Sequence, residues 1–180
     1  MNKKTSSKLS LNITLIGMPA AGKSWIGKQL SKQLGYHFFD VDKGIEKKIN
    51  GDIQTFINTH DDAAFLSLEE QVVLELGAVK NTVISTGGSV VYSDVAMVFL
   101  QEISFVVYLK ESLENIDKRL QNLDSRGVVG LKNKTLTTLF NQRTPLYERY
   151  ADLIFKMPKE FHKSKITDTL LDILKGKDIS

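Results

Sequence analysis

Eight residues near the start of the chain combine glycine, lysine and serine at a spacing that suits phosphate binding. The segment GMPAAGKS runs from Gly17 to Ser24 and matches the pattern G-x4-G-K-[ST] without a gap. In such a loop the backbone N–H groups turn toward phosphate oxygens, the lysine neutralises the β and γ phosphates, and the serine hydroxyl reaches Mg²⁺. A tight turn between a strand and a helix is the alternative, but the flanking apolar strand and amphipathic helix are the context that phosphate binding requires. The residues predicted to line the nucleotide are Gly17, Pro19, Ala20, Ala21, Gly22, Lys23, Ser24 and Trp25.

Two further groups of residues follow apolar strands and could act on a phosphate acceptor. Asp40 and Asp42 end the strand pattern YHFFDVD, and Gly87 and Gly88 end the strand pattern NTVISTGG. A carboxylate beside a metal-bound phosphate can orient an alcohol and accept its proton. The alternative for the two acids is a helix N-cap pair, and for the two glycines a plain turn. Because ligands bind beyond the carboxyl ends of parallel strands, we expect these groups to meet the phosphate loop at one edge of a sheet.

The order of elements predicts an α/β fold. Short apolar runs alternate with segments of helical periodicity, which indicates βαβ units and a parallel sheet of five strands. Gly35 is expected to end the first helix, and Pro145 is expected to break or kink the helix that contains it. The two acids are expected at the end of the second strand.

Length, charge and cysteine content exclude several classes of protein. The 180 residues fit one domain, which we expect to span residues 11–180 after a flexible terminus at residues 1–10. The chain has no cysteine, so disulfides and cysteine-ligated metals are excluded, and a reducing compartment is expected. The formal net charge of +3 is too small to indicate nucleic acid, and no apolar run approaches the length of a membrane span. We expect a cytoplasmic monomer that binds a small molecule and neither nucleic acid nor a membrane.

Taken together, the motifs resemble those of the shikimate kinases, within the wider group of kinases similar to nucleoside-monophosphate kinases. The resemblance covers nearly the whole chain, and the matching segments come in the order expected for that family. They are GMPAAGKS, FFDVD, STGGS, SRGVV and RTPLYERYAD. The resemblance implies a three-layer P-loop kinase fold with a mobile lid at about 121–135 and acceptor-binding helices at about 43–76. It also implies ATP and Mg²⁺ as cofactors, transfer of a phosphoryl group to the 3-hydroxyl of shikimate, and a place in aromatic amino acid biosynthesis.

The same resemblance assigns roles to individual residues on the acceptor side. Asp42 is similar to the acid that binds the acceptor hydroxyl and lies near Mg²⁺, and Asp40 to the acid that supports it, so Ser24, Asp40 and Asp42 form the expected metal site. Arg143 is similar to the arginine that pairs with the substrate carboxylate, and Arg149 is expected at the surface. Gly87 and Gly88 are similar to glycines that approach the substrate ring.

Two arginines are similar to those that border the nucleotide in the family. Arg126 resembles the lid arginine that closes over the transferred phosphate, and Arg119 resembles the arginine beside the adenine. A lid of this kind excludes water and so prevents ATP hydrolysis. Gly127 stands where the family usually has proline, which predicts a lid of a different shape. Lys23, Asp42 and Arg126 are the expected catalytic residues.

Two positions depart from the family's pattern, and both belong to the acceptor side. Leu66 stands where a second carboxylate-binding arginine is expected, and Ser89 stands where a third glycine is expected. Losing one charged contact costs on the order of 1.5–3 kcal/mol, which is roughly tenfold to a hundredfold in affinity. Without that arginine, Glu69 is expected to be a solvated helix charge.

These departures leave three functions open. The first is phosphorylation of shikimate with a weakened acceptor site, in which Lys43 or Lys47 could replace the arginine. The second is the same chemistry on another small hydroxylated acceptor. The third is a nucleotide-binding module without transfer activity, against which the retained Lys23, Asp42 and Arg143 argue.

Overall fold

The computed structural model describes residues 12–121, 130, 134–158 and 163–177, and these form three layers around one parallel sheet. The strands are β1 (Asn12–Ile16), β2 (His37–Asp40), β3 (Thr82–Ser85), β4 (Ser104–Lys110) and β5 (Leu153–Lys156). The helices are α1 (Lys23–Leu34), α2 (Val41–Ile49), α3 (Ile53–Thr59), α4 (Asp62–Leu74), α5 (Asp94–Ile103), α6 (Leu113–Gln121), α7 (Leu136–Tyr150) and α8 (Lys163–Lys175). The strand order is β2-β3-β1-β4-β5 and every pairing is parallel. The predicted five-stranded parallel sheet flanked by helices is therefore confirmed.

Alternate residues of the central strands supply two separate cores, as expected when both faces of a sheet are covered. In β4, Val106 and Tyr108 face the first core, which also contains buried side chains of α2, α4, α5 and α7. Val107 and Leu109 face the second core, which contains buried side chains of α1 and α8. This pattern explains why the strands appear in the sequence as nearly continuous apolar runs.

Local signals at helix ends agree with the sequence. Gly35 ends α1 in the left-handed region, at φ 69°, as predicted. Aspartates cap three consecutive helices: Asp40 begins α2, Asp52 begins α3, and Asp61 begins α4. In each case the carboxylate accepts a hydrogen bond from a backbone N–H of the first turn, which stabilises the helix start.

One prediction about an element is wrong, and at Pro145 the expected break is contradicted. Asp42 does not end the second strand, because β2 stops at Asp40 and Asp42 lies in the first turn of α2. Pro145 does not break α7, which continues from Leu136 to Tyr150. Leu139 and Tyr147 are both buried on either side of the proline, so packing outweighs the local cost of proline.

Within the described residues, no helix combines the length and the apolar character that crossing a membrane requires.

Candidate functional site

The predicted site residues meet at one edge of the sheet, beyond the carboxyl ends of three neighbouring strands. The phosphate loop follows β1, Asp40 ends β2, and Gly87 and Gly88 follow β3. The register aligns Ser85 with both Leu15 and Asp40, so the three strands end at the same level. The sequence-based expectation of one shared edge is confirmed.

The loop between β1 and α1 has the backbone shape of an anion cradle. Gly17 has φ +144° and Gly22 has φ +96°, and a Cβ on Gly17 would lie 2.8 Å from the carbonyl oxygen of Leu109. Ala20 also has a positive φ, of 61°, which a non-glycine residue adopts rarely and mostly at functional sites. Helix α1 starts at this loop without a side-chain cap, so its N-terminal amides can serve a bound anion.

Lys23 lies inside the loop. Its side chain is buried, and Nζ donates hydrogen bonds to the carbonyl oxygens of Gly17 at 2.8 Å and Met18 at 2.9 Å. Burial lowers the pKa of Lys23 to about 8, although the nearby Asp42 acts in the opposite direction. A buried ammonium gains much from an anion, so this lysine is placed to bind phosphate.

The residues predicted to hold Mg²⁺ lie beside the loop, and they divide into two roles. The hydroxyl of Ser24 lies 3.3 Å from that of Ser85, and the half-buried Asp42 is the second residue of α2. Asp40 accepts a hydrogen bond from the backbone N–H of Asp42 at 3.1 Å, so its side chain caps the helix that carries Asp42. Among the described residues no group of three or more His, Asp or Glu side chains forms a metal cage. One hydroxyl and one or two carboxylates fit Mg²⁺ that keeps several waters and binds phosphate oxygens.

Gly87 and Gly88 bring the loop and the acceptor side into contact. A Cβ on Gly87 would lie 2.2 Å from Oε1 of Glu69 and 3.2 Å from Oδ1 of Asp42. A Cβ on Gly88 would lie 2.6 Å from Cδ of Pro19 and 3.2 Å from Nη1 of Arg143. A side chain at Gly87 would displace the carboxylates of Glu69 and Asp42, and one at Gly88 would displace the ring of Pro19, so close packing rather than a turn accounts for both glycines.

Replacing Gly87 by alanine is therefore expected to move Glu69 and Asp42 and to raise the acceptor KM about tenfold, since overpacking a tight site costs about 1–3 kcal/mol. Gly51→Ala is the matched control, because the nearest atom to a Cβ there is 3.8 Å away. Steady-state kinetics with a titrated acceptor would check this. Equal KM values for the two variants would contradict the close packing at Gly87.

Arg143 is buried beside the glycines. Its side chain is 1% exposed, its Nε donates to the hydroxyl of Tyr92 at 3.3 Å, and its guanidinium lies 5.1 Å from the centre of the Tyr92 ring. One turn later on α7, the hydroxyl of Tyr147 donates to the carbonyl of Gly88 at 2.6 Å. Helix α7 is thus tied to the glycine segment, and it presents a fixed guanidinium of the kind that suits a carboxylate.

Glu69 is also buried, which overturns the expectation of a solvated helix charge. Its side chain is 1% exposed, and Oε2 accepts a hydrogen bond from the hydroxyl of Ser89 at 2.6 Å. Burial raises the pKa of Glu69 to about 7, with Asp42 adding to the effect and the Ser89 hydrogen bond opposing it. Leu66, one turn earlier on α4, is half-buried and packs against the first core. Ser89 therefore donates a hydrogen bond to this carboxylate, and the charges of Arg143 and Lys23 also act on it.

Arg119 contacts the phosphate loop through its guanidinium. It donates to the carbonyl oxygen of Ala20 at 3.0 Å and forms an ion pair at 2.7 Å with the buried Glu111. The other oxygen of Glu111 accepts from Asn115 and from the backbone N–H of Ser112. Sequence reasoning missed Glu111, because its only signal was its position just after β4.

The remaining candidates are peripheral or outside the described residues. Trp25 packs partly buried against the second core. Lys43 pairs with Glu46 at an exposed position. Arg149 is 65% exposed, as predicted. Arg126, Gly127, most of the expected lid and the expected flexible terminus lie outside the described residues.

Comparison with known proteins identifies the family. The family model described as "Shikimate kinase" matches residues 19–175. The shikimate kinase of Paracidovorax citrulli is 39% identical over 148 residues, covering 80% of this chain and 81% of that protein. The shikimate kinase of Buchnera aphidicola is 36% identical over 162 residues, covering 85% and 90%. The structure of shikimate kinase from Acinetobacter baumannii in complex with shikimate has a TM-score of 0.84 at 28% identity, covering 94% of this chain and 96% of that one. On its sequence motifs, its fold and these relatives, the chain belongs to the shikimate kinase family.

Proposed function

We propose that this protein transfers the γ-phosphoryl group of ATP to the 3-hydroxyl of shikimate. The observation that carries the proposal is that the phosphate loop and Arg143 both approach Gly88. Cδ of Pro19 lies 2.6 Å, and Nη1 of Arg143 lies 3.2 Å, from the position that a Cβ on Gly88 would occupy. A donor phosphate on the loop and an acceptor carboxylate on Arg143 would therefore be neighbours. Phosphoryl transfer depends mainly on such positioning and on electrostatic stabilisation.

On the nucleotide side, the residues from Gly17 to Ser24 would hold the phosphates, with Trp25 and Arg119 beside the nucleotide. Lys23 would keep its proton next to the phosphates, because an anion raises the pKa that burial lowers. Arg126 would stabilise the charge that develops on the transferred group. Ser24 and Asp42 would hold Mg²⁺ with support from Asp40, and Mg²⁺ would neutralise phosphate charge.

On the acceptor side, Asp42 would orient the 3-hydroxyl and accept its proton. Arg143 would bind the carboxylate of shikimate through two parallel hydrogen bonds. Gly87, Gly88 and Ser89 would form the wall against the ring. Helices within about 43–76 would close this side, and the segment at about 121–135 would act as the lid. The monomeric state and the cytoplasmic location stay predictions.

The product of the reaction tests this proposal. Incubation with Mg²⁺–ATP and shikimate is expected to give one phosphate monoester, with ³¹P coupling to the proton on carbon 3 in the NMR spectrum. A monoester at another carbon would contradict the assignment of the reacting hydroxyl. Formation of inorganic phosphate alone would contradict transfer to shikimate.

The half-buried Leu66 favours a second candidate, a different small hydroxylated acceptor, and one substitution separates the two. Leu66 and Glu69 lie one turn apart on the same face of α4. An arginine at position 66 could therefore pair with the buried carboxylate and reach the acceptor. If shikimate is the acceptor, Leu66→Arg is expected to lower its KM about tenfold through one added charged contact.

Leu66→Met is the control for a change of shape without charge, and initial rates over a shikimate titration give both KM values. An unchanged KM in Leu66→Arg, with the fold intact by circular dichroism, would favour the other acceptor.

A further inference from the structure

Ser89 and Glu69 form a hydrogen-bonded pair on the acceptor side of the site. In the family's pattern an arginine at position 66 is expected beside this glutamate, and here Leu66 stands in its place. The two side chains are 4% and 1% exposed, and the hydroxyl of Ser89 donates to Oε2 of Glu69 at 2.6 Å. Glu69 belongs to α4, and Ser89 belongs to the segment that directly follows Gly87 and Gly88. The hydrogen bond therefore fixes the carboxylate relative to the glycines.

The second oxygen of Glu69, Oε1, lies against Gly87. Oε1 is buried and has no hydrogen-bond partner among the residues that the structure describes. It lies 2.2 Å from the point where a Cβ of Gly87 would stand, and Oδ1 of Asp42 lies 3.2 Å from that point. Both carboxylates therefore converge on Gly87. A buried oxygen without a donor is costly, so a ligand that supplies one gains affinity there.

The charges around Glu69 indicate which group of a ligand this would be. Asp42 adds negative charge to the site, while Lys23 and Arg143 supply the positive charge. A ligand carboxylate would be repelled by the two acids and attracted by Arg143. A hydroxyl is neutral and donates a hydrogen, so it suits the free oxygen of Glu69.

We infer that Glu69 binds a hydroxyl of the acceptor adjacent to the hydroxyl held by Asp42, and that Ser89 is the positioning residue that aims Glu69. The ligand class is a polyhydroxylated small carboxylic acid with neighbouring hydroxyl groups. The inference rests on the proposed function, since it describes how that acceptor is recognised.

Two substitutions test the pair with little change of shape. Ser89→Ala removes only the hydroxyl, and Glu69→Gln keeps the size but removes the charge and replaces one of the two acceptor oxygens by an amide N–H₂ donor. Each is expected to raise the shikimate KM about tenfold, with kcat and the ATP KM changed less than about twofold. The double variant is expected to show little more than the larger single effect, because both substitutions remove one interaction.

Ser93→Ala is the matched control. Ser93 also donates to a glutamate of α4, Glu70, and it caps α5 through the N–H of Ala96, but it lies outside the glycine segment. Its loss is expected to lower the melting temperature without changing the shikimate KM. An equal rise in KM in this control would show that the effect is structural and would overturn the inference.

A shikimate analogue lacking the 4-hydroxyl, next to the reacting one, completes the test. Its kcat/KM is expected to fall about tenfold with the wild type and by a clearly smaller factor with Glu69→Gln. If the wild type turns over shikimate and the shikimate KM values of Ser89→Ala and Glu69→Gln equal that of the wild type, this inference is overturned and the proposed function stands. Absence of shikimate-dependent turnover in the wild type would overturn the proposed function, and the inference with it.

Discussion

Replacement of Lys23 by methionine is expected to lower kcat/KM for phosphoryl transfer about 10²–10³-fold, the usual effect of removing one preorganised group from a developing charge. The ammonium is buried in the loop and is held by the carbonyl oxygens of Gly17 and Met18. Methionine fills a similar volume but carries no charge, so the phosphates would lose their fixed counter-charge. Most of the loss is expected in kcat, because the charge on the transferred group is greatest in the transition state.

Lys32→Met is the control for this variant, because Lys32 lies in the last turn of the same helix and is exposed. Its kinetics are expected to match the wild type. Coupled measurement of ADP release at saturating acceptor gives kcat, and thermal unfolding shows whether the loop variant is folded. A folded Lys23→Met protein with kcat close to the wild type would contradict the assignment of Lys23.

Conversion of Arg143 to lysine is expected to raise the acceptor KM up to about 100-fold, since a charged and two-pronged contact is replaced by a point charge. The guanidinium is 1% exposed and is oriented by the hydroxyl and ring of Tyr92. Lysine keeps the charge, so the buried Glu69 keeps a counter-ion and the fold is expected to survive. The ATP KM is expected to stay within about twofold, which separates acceptor binding from nucleotide binding.

The matched control is Arg149→Lys on the same helix, where the side chain is 65% exposed and lies over the ring of Tyr150. Its acceptor KM is expected to be unchanged. If both variants raised the acceptor KM equally, or if Arg143→Lys raised only the ATP KM, the carboxylate would have to bind elsewhere.

The fold followed from the sequence where a local pattern decides the structure. The strands are buried on both faces, so each appears as an apolar run, and Gly35 ends α1 because it adopts the left-handed region. The end of β2 was misplaced because Asp40 and Asp42 look alike in sequence, and only the capping hydrogen bond distinguishes them. A break at Pro145 does not occur, because the packing of α7 is a tertiary effect that no local signal carries.

The candidate site was predictable on its phosphate side and much less so on its acceptor side. The loop from Gly17 to Ser24 is continuous in sequence, so its residues and their spacing are visible directly. The environment of Glu69 depends on Ser89, which follows β3 and is distant in sequence. Because Glu69 is buried against it, Glu69 is a residue of the site and not a solvated charge. The same holds for Tyr92 and Tyr147, whose contacts with Arg143 and Gly88 arise only when α7 packs against the glycine segment.

The most direct test of the central claim is the initial rate of ADP release with Mg²⁺–ATP, measured with and without shikimate over a titration of the acceptor. The account predicts a rate of ADP release that depends on shikimate and saturates. The rate without shikimate is expected to be low, because transfer requires both substrates in the site. A rate that does not change with shikimate while ATP still binds would contradict the assignment of shikimate as the acceptor.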